Sequence, residues 1–160
     1  MRDHQDIHFL LSGWGIGFDQ LREMQCEARL PNVTLVDRVE DEQLEAFLTA
    51  ADVWIIPYRK NVAGVSVPSR FYNLLAIGPP VILVSELDAE AALTVTEHDV
   101  GWVVEPGRAD ELAKTVSRAA GAMDPQRAGR AAEISRRFDF DAAMTDYCSL
   151  IRELSQQKPD

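Results

Sequence analysis

Five short apolar runs constrain this chain more than any other feature. They are residues 7–12 (IHFLLS), 33–36 (VTLV), 53–57 (VWIIP), 80–84 (PVILV) and 101–105 (GWVVE). Most are continuous β-branched or aromatic stretches, with no polar residue at every second position. A strand of that composition is covered on both faces, the condition of a strand inside a parallel sheet. The intervening segments have helical period. Phe18, Leu21 and Met24 recur three apart. Leu44, Phe47 and Leu48 share a face behind Asp41, Glu42 and Glu45, acids that suit the positive end of a helix dipole. Helical segments over 68–77 and 88–97 follow. The alternation predicts an α/β fold: a Rossmann-like, doubly wound, mainly parallel sheet of about five strands with helices on both faces. After Glu105 the pattern is helical only, over 108–122, 125–138 and 140–154. Gly121 and Pro125 separate the first two of these extra C-terminal helices, and Asp139 or Asp141 is placed to cap the last. No repeat or long linker divides the sequence, so residues 1–160 read as a single domain.

Composition narrows the function. A chain of 160 residues, 46% of them hydrophobic, can bury a core. Its net charge of −10 argues against a nucleic-acid partner, which selects a basic face. Cys26 and Cys148 lie far apart with no paired-cysteine or Cys/His spacing, which argues against a disulfide framework or zinc site and for free thiols in a reducing compartment. No secretory signal opens the chain and no apolar run reaches membrane-spanning length. The expected location is the cytoplasm, with any contact at the inner face of the membrane made through a partner.

In open α/β sheets ligands bind beyond the carboxyl ends of the strands. Beyond the first strand comes SGWGIGF, with Gly13, Gly15 and Gly17. This GxGxG turn lacks the dinucleotide spacing, and Asp37 is a loose match for an acidic ribose partner. The turn is either structural or a place where backbone approaches a phosphate, with Trp14 able to touch a ligand. Asp37 and Arg38 follow the second strand, and Tyr58, Arg59 and Lys60 the third. Signals converge at Pro68-Ser69-Arg70, a helix start with free N–H groups, a hydroxyl donor and a permanent cation. The alternative is that Ser66 or Ser69 caps the helix and Arg70 solvates it. The surrounding sequence favours an anion site: between Val53 and Ser85 there is no Asp or Glu, only Arg59, Lys60 and Arg70. His4, His8 and His98 form no triad or metal spacing, and Trp54 and Trp102 read as core or rim. Glu86 and Glu90 are spaced like acid/base carboxylates, but near a helix start they read as dipole partners.

Taken in order, FLLSGWGIGFDQL, NVTLVDRVEDEQLEAFLTAADVWIIPY, VPSRFYNLLAIGPPVI and VGWVVEPGRADELAKTV resemble the C-terminal domain of group 1 glycosyltransferases, the family 4 enzymes of GT-B fold. The resemblance runs from about Ile7 to Leu154, and its Pro-Ser-basic form is similar to bacterial sugar transferases that make surface polysaccharides or lipid-linked sugars. It implies a domain that binds a nucleoside-diphosphate sugar of UDP or GDP type. An N-terminal acceptor-binding half, in cis or in trans, is its implied partner and carries any peripheral membrane contact. It also implies transfer with retention and without a metal. By position, Gly13, Trp14, Gly15 and Arg38 border the donor, and Ser69 and Arg70 face its diphosphate. Arg70 acquires the catalytic task of stabilising the leaving diphosphate.

The sequence departs from the pattern in three ways. The family's paired glutamates align with Val65 and Asn73, of which Asn73 can still hydrogen-bond ribose hydroxyls. The family's first strand–helix unit, with a phosphate-binding lysine, would precede residue 7. The acceptor half is not in the sequence either. Three expectations follow: a fragment, a chain working with a partner, or a domain that has lost catalysis, which alone transfers nothing. An interaction module on the same fold is the rival reading. A receiver domain is disfavoured because SGWGIG stands where clustered acids belong.

Overall fold

A computed structural model describes residues 4, 6–61, 69–122 and 124–156. It resolves two compact units, Met1–Ala51 and Asp52–Asp160. In the first, β1 (Phe9–Ser12) pairs in parallel with β2 (Val33–Val36), Phe9 opposite Val33 and Ser12 opposite Val36. Helix α1 (Ile16–Ala28) connects them and ends at Arg29, φ 47, where the Arg29 N–H donates to the Cys26 carbonyl at 3.3 Å and the Leu30 N–H to the Gln25 carbonyl at 3.4 Å. The helix expected over 41–51 divides into a 3-10 turn at Asp41–Gln43 and a short α2 (Leu44–Thr49). Neither the acidic turn nor α2 holds a buried residue.

The second unit holds β3 (Trp54–Pro57), β4 (Val81–Val84) and β5 (Gly101–Val104), ordered β3-β4-β5 with both pairs parallel. All five expected strands are therefore present and parallel, hydrogen-bonded as a two-stranded and a three-stranded sheet. The central strand explains its own composition. Val81, Ile82 and Leu83 are fully buried although neighbours along a strand point to opposite faces, so both faces are covered. On one face Ile55, Ile82 and Trp102 stand in register. They pack with Val104 against Leu112, Val116 and Ala119 of α5 (Ala109–Gly121). Helix α4 (Glu90–Glu97) buries Ala91, Ala92 and Val95 and also packs on β4 and β5.

Helix α3 (Ser69–Ile77) buries Phe71, Leu74 and Leu75 and packs on α6 (Pro125–Ser135). Two aspartates organise the C-terminal helices. Asp124 caps α6 by accepting from the Gln126 N–H at 2.9 Å. Asp139 accepts from the Asp141 N–H at 3.2 Å at the start of α7 (Phe140–Gln156), which settles the expected choice of cap. Along α7, Phe140, Met144, Tyr147, Ile151 and Leu154 are exposed at alternating spacings of four and three. Among the described residues no helix is long and apolar enough to cross a membrane.

Candidate functional site

The carboxyl end of β1 turns on glycine for two different reasons. A Cβ on Gly13 would stand 2.9 Å from the Phe18 ring, which is buried and anchors α1. Gly15 has space around it but sits at φ 87, a conformation that L side chains rarely adopt. Its carbonyl accepts from the N–H groups of Phe18 at 2.8 Å and Asp19 at 3.1 Å, starting α1. Trp14, between the glycines, is 68% exposed, which excludes it from the core. The Arg38 guanidinium lies 5.2 Å from the Trp14 ring centroid, a cation–π contact that joins the turns after β1 and β2. The two turns are also tied by Ser12 Oγ, which donates to the Asp37 carbonyl at 2.8 Å. The Asp37 carboxylate accepts from Arg22 at 2.6 Å, so the loose ribose-acid match is held by a cation of α1.

In the second unit, Ser69 and Arg70 open α3 with no acid in its first turn, and Asn73 stands one turn on. All three are exposed and share the helix face opposite Phe71, Leu74 and Leu75. Pro68, with Gly64, Val65 and Ser66, lies outside the described residues. Arg59, Lys60 and Arg70 form no ion pair among the described residues. A helix start, a hydroxyl and cations with no ion pair among the described residues can hold an anion such as a phosphate.

Behind this face, Tyr72 packs edge-on to Phe71 at 5.5 Å and against Phe138 at 4.6 Å. Burial pushes the Tyr72 phenol above its ordinary range, and Glu90 adds to the shift. The Tyr58 phenol is raised by burial and by Tyr72, and its hydroxyl is buried without a hydrogen-bond partner among the described residues. Among the described residues no group of His, Cys, Asp and Glu could hold a metal ion.

Several contacts were not read from the sequence. Glu86 accepts from the Asn61 N–H at 3.0 Å, whereas Glu90 takes the expected dipole position in the first turn of α4. Arg127 lies 4.3 Å from the Trp102 ring centroid and 2.9 Å from an Asp99 carboxylate oxygen, while Arg130 bridges Asp99 and Asp124. Only the crowding of arginine in PQRAGRAAEISRRF hinted at such a network.

Parallel strands with connecting helices define the class as an α/β, Rossmann-like domain. The comparisons carry this further. The family model described as glycosyl transferases group 1 matches residues 1–121, and the chain belongs to that family. It is similar to a probable glycosyltransferase, WbjE, of Pseudomonas aeruginosa, with 25% identity over 108 residues. That match covers 68% of this chain and 27% of the relative, so the chain corresponds to about a quarter of that protein's length.

Proposed function

We propose that this chain is the nucleotide-sugar-binding domain of a glycosyltransferase. In that reading a hexosyl group passes from a nucleoside-diphosphate sugar to a saccharide or lipid-linked acceptor, with retention and without a metal. The observation that carries the proposal is the exposed face of α3, where Ser69, Arg70 and Asn73 stand together in a segment free of acids. Arg70, the Ser69 hydroxyl and the helix start stabilise charge developing on the departing diphosphate. Asn73 offers its amide to ribose hydroxyls. Membership in the glycosyltransferase family supports the reading. The acceptor is assigned to an N-terminal half, in cis or in trans, which also carries any contact with the inner face of the membrane.

The test is a titration of UDP and GDP followed by amide chemical shifts. We expect Kd values of about a millimolar and shifts at Gly15, Ser69 and Arg70. Unmoved amides at these three positions with millimolar nucleotide would refute the proposal. The exposed apolar stripe of α7 favours a second reading, a non-catalytic module docking a partner. The same titration separates the two, because a docking module leaves Ser69 and Arg70 unmoved.

A further inference from the structure

The chain leaves β3 under two restraints. The Tyr58 N–H donates to the Val84 carbonyl at 2.8 Å, and three residues on the Asn61 N–H donates to Glu86 Oε1 at 3.0 Å. Asn61 adopts φ 63, in the left-handed region that asparagine tolerates better than most residues. Between the two anchors stand Arg59 and Lys60, both exposed. Lys60 extends towards the turn after β5, its Cε 4.0 Å from where a Cβ on Gly107 would lie. Glu86 itself is held at the end of β4, since the preceding Ser85 N–H donates to the Val104 carbonyl at 2.9 Å. The Glu86 carboxylate holds the loop through a charge-assisted bond to the backbone.

We infer that Glu86 is a positioning residue: it ties the 58–61 loop to the end of β4 and so fixes where Arg59 and Lys60 present their charge to a diphosphate. The inference rests on the donor-binding reading above. Its physical basis is preorganisation, because a loop already held in its bound path loses less entropy when the ligand arrives.

The alternative, that Glu86 is merely a negative charge near an anion, predicts the opposite sign. Removing that charge would strengthen phosphate binding in Glu86→Gln and Glu86→Ala alike. Glutamine keeps an acceptor oxygen for the Asn61 N–H, and alanine does not. We expect Glu86→Ala to speed amide exchange at Asn61 about tenfold and to weaken UDP about fivefold. Glu86→Gln should remain within about twofold of wild type in both. Wild type that binds UDP, with Glu86→Ala binding as tightly as Glu86→Gln, overturns the inference and leaves the donor-binding reading standing. Wild type that shows no UDP shifts overturns that reading, and this inference with it.

Discussion

Arg70 is exposed, unpaired among the described residues and one position inside a helix, so its side chain contributes little to packing. A hydrogen bond to a charged group contributes about 1.5–3 kcal/mol, or roughly ten- to a hundredfold in affinity. Arg70→Ala should therefore weaken UDP at least about tenfold while leaving uridine unchanged, as read from parallel shift titrations. Equal losses for the nucleotide and the nucleoside would remove Arg70 from the phosphate role. Its exposed place at an acid-free helix start was legible in the sequence, because charge against an acid-free background is a one-dimensional signal. Glu86 was not, because its partner Asn61 lies 25 positions away and is a backbone N–H, which any residue but proline supplies. The exposure of Trp14 was equally hidden, since a tryptophan in a glycine turn reads alike whether it packs inward or lies open.

At the scale of elements, apolar continuity located all five strands, and helical period located most helices to within a few residues. What period does not carry is how one helix is held to the next. Helix α6 begins at Pro125 behind Asp124, a start that could be read, but the cap is also an electrostatic junction. Arg130 donates to Asp124 at 2.6 Å and also reaches Asp99 at 2.8 Å, so one guanidinium ties the α6 cap to the turn after α4. The Arg130 bond, followed by the Gln126 N–H, holds the Asp124 carboxyl below the ordinary aspartate range. A depressed folded-state pKa contributes stability above the unfolded value, lost as pH falls through the folded one. The thermal midpoint should thus decline on acidification from about pH 5 towards pH 3. Asn at position 124 can still accept from Gln126, so Asp124→Asn should lower Tm at neutral pH by only about 2 °C. In the variant this carboxyl's share of the acid-side decline disappears. An acid-side decline as steep in Asp124→Asn as in wild type, followed by melting at stepped pH, would exclude this carboxyl as a contributor.

For the whole molecule, the strand–helix alternation runs through Ala51 and Asp52 without a break, so nothing in its rhythm marks the boundary between the two units. Which strands share a ladder depends on neighbours in space, and a string of similar βα segments does not encode that order. Burial does distinguish the units. In the first, Ile7 and Phe18 are the buried hydrophobics among the described residues, and β1 and β2 are partly open, with Leu10 exposed. In the second, Phe71, Leu74, Leu75, Val81, Ile82, Leu83, Val95, Val100 and Val104 are all below 2% exposed. Apolar burial is the main favourable term in folding, and a two-stranded sheet with a thin core opens at lower cost than a three-stranded one closed on both faces. The amides of Val81–Val84 should therefore be among the slowest to exchange in the chain. Those of Phe9–Ser12 and Val33–Val36 should exchange at least about tenfold faster, because an opening free energy lower by only about 1.4 kcal/mol already gives that ratio. Residue-resolved hydrogen exchange at neutral pH decides the matter. Equal protection of β1, β2 and β4 would mean that the first unit draws stability from more than its own core. Adding a nucleoside diphosphate sharpens the comparison, since a ligand that binds only the folded form slows exchange wherever opening disrupts its site. Slowing in the first turn of α3 is the pattern expected if Ser69 and Arg70 hold the diphosphate.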